Sequence, residues 1–162
     1  MADLIKPIAP SSFYLEFDGL TDLVFKSVTL PEYKPKVTGG EAVIGTTKDG
    51  KSIRQINSGG FEGLFTFDCT CVASLTGSSA SKKMYEWFEK CLPTSDGGKG
   101  QWKNNKKTGK ISAYDSDSEL VAMWEFSEAW PSKYKCADLD VTQDAYLEEI
   151  FTITCEKFNR TQ

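Results

Sequence analysis

Phe13, Leu15 and Phe17 alternate with Tyr14, Glu16 and Asp18, the period-two signature of a strand that buries one face. Beyond the turn signal Asp18-Gly19, Val24, Lys26, Val28 and Leu30 alternate with Phe25, Ser27 and Thr29. Pro31 then interrupts the ladder because it has no amide proton. The two runs are expected to form a hairpin. From Lys34 to Ser58 the chain is polar but β-prone, with Lys36-Val37-Thr38, Ala42-Val43-Ile44 and Lys51 to Asn57 set around an Asp49-Gly50 turn. Its apolar residues are too sparse to fill a core. Val43, Ile44, Ile53 and Ile56 are nonetheless too many for a solvated loop. The stretch therefore reads as a long protruding β-hairpin, about 34–58, whose apolar residues meet another subunit. Lys36 and Arg54 share that surface.

Phe65, Phe67, Cys69 and Cys71 fall on one face of a run whose other face carries Leu64, Thr66, Asp68, Thr70 and Val72, which predicts a central strand. Ser78 to Ser81 supply helix-capping residues, and Met84, Trp87, Phe88, Cys91 and Leu92 follow at helical spacing. Lys82/Glu86 and Glu86/Lys90 lie four apart on the opposite side, and Pro93 ends the helix, expected over about 80–92. Thr94 to Thr108 reads as a polar loop, and Lys110 to Tyr114 and Leu120 to Phe126 as strands around Asp115-Ser116-Asp117-Ser118. Trp130-Pro131 is expected to make a rigid corner. Tyr146 to Phe158 reads as one long last strand. Together these elements predict a mainly β fold, an antiparallel β-barrel or sandwich with one flanking α-helix.

Composition narrows the function more than the fold. The 162 residues suit a single domain spanning the chain, since one core commonly serves roughly 100 to 200 residues. A net charge of −4 argues against nucleic acid as the main binding partner, because phosphate recognition needs a field of Lys and Arg. Asp3, Pro7 and Pro10 fit no secretory leader, so the chain is expected to be made in the cytoplasm without a signal peptide. Apolar runs are far short of the roughly 20 residues of a membrane-spanning helix. The five cysteines, Cys69, Cys71, Cys91, Cys136 and Cys155, are odd in number and irregularly spaced, unlike a secreted disulfide framework. Histidine is absent altogether, which removes the usual general base near neutral pH and the commonest nitrogen ligand for zinc or iron.

The remaining chemical motifs are weak. No catalytic residue, metal site or cofactor site is expected, since Ser and Cys have no histidine to activate them. Cys69-Thr70-Cys71 places two thiols in a phenylalanine row, where cysteine behaves as a small hydrophobe. Asp115, Asp117 and Glu119 look like a calcium loop but have neither its glycine nor its distal glutamate, and read as a hairpin turn. Gly40 to Thr47 has threonine where a phosphate loop needs lysine. Lys103, Lys106, Lys107 and Lys110 near Trp102 have the makings of a single-strand binding patch, against the plainer reading of a solvated turn.

Two blocks carry a family likeness: Phe13 to Gly19 with Val24 to Leu30, and Trp124-Glu125-Phe126-Ser127-Glu128-Ala129-Trp130-Pro131-Ser132-Lys133-Tyr134. With Tyr85-Glu86-Trp87-Phe88 and Leu147 to Glu156, in this order over nearly the whole chain, they resemble the tail tube, or inner tube, family of contractile phage tails and extracellular contractile injection systems. The positions that carry the likeness as structural residues are Phe17, Gly19, Trp87, Trp124, Ala129, Trp130, Pro131 and Tyr134. The resemblance implies a non-enzymatic subunit that forms hexameric rings stacked into a tube, with DNA or effector proteins passing through the lumen. It also implies a surrounding contractile sheath, a nucleating baseplate, tube-terminating proteins, and a mature location in a virion or injection particle. Lys36, Val43, Ile44, Ile53, Arg54 and Ile56 become candidate contacts between subunits or rings. The alternatives are a ring-forming tube protein of type VI secretion that carries effectors and, from another class, a monomeric β-barrel that binds a ligand in an apolar pocket.

Overall fold

The computed structural model describes residues 7–61, 65–93 and 100–162. The chain divides into two compact units, a body of residues up to Pro31 and from Phe65 onward, and a second unit of Glu32–Leu64.

The body contains β1 (Phe13–Phe17), β2 (Ser27–Thr29), β5 (Phe65–Val72), α1 (Ala80–Cys91), a 3-10 turn (Trp102–Asn104), β6 (Lys107–Tyr114), β7 (Leu120–Cys136), β8 (Glu148–Cys155) and β9 (Lys157–Arg160). The second unit holds β3 (Pro35–Thr46) and β4 (Ser52–Phe61). In the body the strands form one antiparallel sheet in the order β1-β6-β7-β8-β5-β2, with β9 also paired to β7. The 17-residue β7 gives its first half to β6 and β9 and its second half to β8. Two half-sheets result.

Both chain segments that pass between the half-sheets bend. In β7 the buried positions jump from Phe126 to Ala129 around Glu128, whose φ is +54°. In the last segment they jump from Cys155 to Phe158 across Glu156, so the expected single strand is β8 followed by β9. A bulge or bend is how a strand changes sheets while keeping its apolar face inward. The expected corner at Trp130-Pro131 is corrected: β7 runs straight through it, and the buried Pro131 sits beside a register shift toward Lys133, where a missing amide costs no ladder bond. The expected hairpin of the first two runs is corrected as well. The Asp18-Gly19 turn closes only a Phe17–Leu20 bridge, after which Leu23 plugs into the core and carries the chain over to β5. Only Ser27–Thr29 of the second run is strand.

The core lies between the half-sheets. Phe126 packs against Phe67 at 5.1 Å, Phe17 at 5.5 Å and Phe158 at 6.3 Å between ring centroids, so rings from β7, β5, β1 and β9 meet at one point. Leu15 and Ile111 join from one half, and Cys69, Cys71, Phe151, Ile153 and Cys155 from the other. A glycine is required where β6 crosses this cluster. A Cβ on Gly109 would lie 2.4 Å from the Glu16 carbonyl oxygen and 2.5 Å from the ring of Phe126. Helix α1 is capped by Ser79, whose hydroxyl accepts from the Lys82 amide, and it adds Met84, Trp87 and Cys91 to the core.

The second unit is a two-stranded antiparallel hairpin closed by a turn in which Thr47 N–H donates to the Lys51 carbonyl and Gly50 N–H to that of Thr47. Between Gly39 and Val43 the register shifts. At φ +91°, a Cβ on Gly39 would fall 2.0 Å from the Gln55 carbonyl oxygen, so only glycine lets the strands approach there.

Candidate assembly interface

The six sequence-chosen contact residues all lie in the hairpin. Val43 stands opposite Arg54, Gly45 opposite Ile53 and Gly39 opposite Ile56. Every described residue from Glu32 to Gly60 is exposed except Gly40 and Gly45, which are half-buried. Val37, Val43, Ile44, Ile53 and Ile56 are 48–68% exposed. An isolated two-stranded hairpin is marginal in water, since neither face is covered and all ordering entropy must be offset by a single ladder. Cations dominate the hairpin: over 34–61 there are five, Lys34, Lys36, Lys48, Lys51 and Arg54, against Glu41 and Asp49.

The eight residues behind the family likeness lie in the body, and their role there is packing. Phe17 meets Trp87 edge-on at 5.0 Å, and the Trp87 indole N–H donates to the Asn105 carbonyl at 2.7 Å. Gly19, at φ +76°, makes the turn after β1. Ala129 is fully buried beside the bend. Trp130 packs on Trp102 at 5.5 Å, and Arg160 lies over the half-buried Trp124 at 5.8 Å. The Tyr134 hydroxyl donates to Glu149 at 2.7 Å, and Ser81 donates to the other oxygen of the same carboxylate. Burial, then the bond to Glu149, pushes the Tyr134 phenol well above its usual range. The sequence pattern does not point to Glu149 as a partner of Tyr134. This glutamate is one of two adjacent acids, Glu148 and Glu149, that open β8, and nothing in the sequence sets it apart from its neighbour.

Lysines near Trp102 are mostly engaged within the body. Lys106 forms ion pairs with Glu128, at 3.3 Å, and with Glu156, and stacks over Trp102 at 5.1 Å. It thus ties together the two residues at which the chain bends. Hydrogen bonding to Glu156 first, and to Glu128 after it, raises its pKa. Lys107 donates to the Asp18 carbonyl at 3.0 Å and Lys110 pairs with Glu16 at 3.1 Å. These contacts favour the plain structural reading of the cluster over nucleic-acid binding. Asp115 accepts from the amides of Asp117 and Glu119, both at 2.9 Å, so this acid shapes the β6–β7 turn. Among the described residues no group of three or more acidic, Cys or His side chains is placed to hold a metal ion. Burial pushes the Cys91 and Cys155 thiols up to about 11 and Cys71 to about 12, and drives Cys69 higher still. Such thiols stay protonated and unreactive. No helix among the described residues is long and apolar enough to cross a membrane.

A body that buries its own core, joined to a hairpin whose apolar residues stay in solvent, has the makeup of an assembly subunit. Residues 10–159 match the family described as T4-like virus tail tube protein gp19, and the chain belongs to that family. It is a tail tube protein, mainly β with antiparallel sheets. Solved structures share the fold at low identity. A chain of the anti-feeding prophage tube terminating cap matches at 15% identity, with a TM-score of 0.71 over 100% of this chain and 95% of that one. A chain of the sheath-tube complex of the PVC extracellular contractile injection system matches at 15% identity and TM-score 0.68, covering 95% of this chain and 90% of that one. A type six secretion system protein matches at 11% identity and TM-score 0.55, over 91% of this chain and 81% of that one. No protein of curated function matches.

Proposed function

We propose that this chain is a non-enzymatic subunit of the inner tube of a contractile phage tail or contractile injection system. Six copies close into a ring, and rings stack into a tube whose lumen passes DNA or effector proteins. The observation that carries the reading is the hairpin 35–61, in which five β-branched apolar side chains are exposed on a sheet with no core of its own. Pairing with neighbouring subunits covers those side chains and uses up open strand edges that otherwise recruit unwanted partners. Interfaces of permanent assemblies bury on the order of 2,000 Å² or more, which a hairpin of this length helps to reach. A ring closes on itself, whereas the head-to-tail contact between rings does not close and propagates as a filament. Tube length is therefore set by other proteins: a baseplate that nucleates, a terminator that stops growth, and a sheath outside.

Purified protein is expected to form hexameric rings or tubes, read by light scattering and negative-stain microscopy. Monomers alone at high concentration would overturn the proposal. Deleting Thr38 to Asn57 is expected to leave a folded body that forms no tubes, and tubes of normal length after the deletion would refute the hairpin's role.

A further inference from the structure

The most exposed apolar side chains of the described chain are not in the hairpin. Val24, Leu75, Leu139, Val141 and Tyr146 are 82–103% exposed, beyond the 48–68% of the hairpin's large apolar residues. All five belong to three loops at one end of the body's second half-sheet, residues 20–26, 73–79 and 137–147. These loops are held side by side. The Ala73 amide donates to Leu147, the Ala137 amide to Glu148 and the Lys26 amide to Thr70. Val24 and Val72 also line one shallow groove with Ser74 and Thr76. The 137–147 loop is ordered by Asp140, which accepts from the Thr142 amide at 2.9 Å and its hydroxyl at 2.7 Å. Acids outnumber cations at this end, where Lys83 of α1 is held by the Thr21 carbonyl at 3.0 Å. Asp22, Asp138, Asp140 and Asp144 are exposed on the three loops, and their one cation, Lys26, is paired with Glu148.

We infer that this acidic, apolar loop end is the docking surface for the hairpin of a second copy of the chain, a partner that is basic and apolar. The complementarity is one of net charge: five cations against two acids over 34–61 face, within the three loops, four acids against Lys26, which is paired with Glu148. Opposite fields steer association and fix its register, while the apolar side chains supply burial. The surface is distinct from the hairpin residues of the proposed tube contact, and the inference rests on the reading that the hairpin joins subunits.

A photo-crosslinking residue in place of Val141, in a mixture of isotope-labelled and unlabelled protein under assembly conditions, tests it by mass spectrometry. The expected products are intermolecular crosslinks to residues 34–61. Crosslinks confined to the same chain, or to other segments of the neighbour, would overturn it. Charge reversal gives a second test. Asp138→Lys with Asp144→Lys, and separately Lys36→Glu with Lys51→Glu, are each expected to cut the yield of tubes at least tenfold, and the four changes together to restore it. Among the described residues neither Asp138 nor Asp144 makes a side-chain hydrogen bond, and unchanged circular dichroism checks that the body stays folded. Normal tubes from both double variants would sink the inference. If deleting Thr38 to Asn57 stops tube formation while the loop variants assemble normally, only this docking surface falls. If the deletion leaves tubes intact, the hairpin's assembly role falls first.

Discussion

In β5, Phe67, Cys69 and Cys71 are at most 2% exposed; in β3 and β4, Val43, Ile44, Ile53 and Ile56 are 48–68% exposed. The strands are of comparable length and both carry apolar side chains, so neither propensity nor hydrophobicity distinguishes them. What differs is the covering layer. The opposite half-sheet and α1 close over β5, whereas the hairpin is a two-stranded sheet of its own. The body's apolar residues stabilise the monomer, whereas those of the hairpin stay in solvent, which is why the hairpin is the proposed assembly contact.

The comparison breaks most visibly in the core. Phe126→Ala removes the ring on which β1, β5 and β9 converge, and is expected to cost about 3–5 kcal/mol in chemical denaturation of the body. A loss below about 1 kcal/mol would show that the half-sheets do not depend on one shared cluster. Tyr134→Phe takes from Glu149 one of its two donors and is expected to cost roughly 1–2 kcal/mol, measured the same way. Stability of the body should also fall in alkali. The Cys91 and Cys155 thiols are raised by burial from 9.0 to about 11, so the folded body holds these protons more tightly than the unfolded chain does. Their contribution is complete below about pH 9 and is lost as pH rises through about 11, and Cys91→Ala should flatten that decline. The smallest effect is expected in the hairpin. Ile44→Ala and Ile56→Ala should change monomer unfolding by no more than about 0.5 kcal/mol while lowering tube yield; a large loss of monomer stability would mean the hairpin is not a separate unit.

Much of this contrast is legible in residue pattern. The alternation Phe65, Phe67, Cys69, Cys71 places β5 and its buried face, and the Met84, Trp87, Cys91 spacing places α1. The Asp49-Gly50 signal locates the hairpin turn. The bends escape because period-two reasoning assumes one sheet per strand. The jump of three from Cys155 to Phe158 is visible in the sequence, but it registers as the end of a pattern rather than as a strand changing partners. Lys106 shows the same limit: a lysine next to Trp102 looks solvent-facing until Glu128 and Glu156 are folded on either side of it. The loop end is hidden for another reason. Leu139 and Val141 sit among Asp138, Asp140 and Asp144, and an apolar residue in a polar loop says little until Val24 and Leu75 from two other loops are brought to the same end.

Because β7 runs unbroken for 17 residues through both half-sheets, and β8 and β9 cross beside it, the two halves share continuous backbone at their junction. A push delivered to one half is carried to the other along covalent bonds rather than across a slipping contact. The body should therefore behave mechanically as a single stiff unit that yields all at once. In the proposed tube, such a subunit would not crumple half by half.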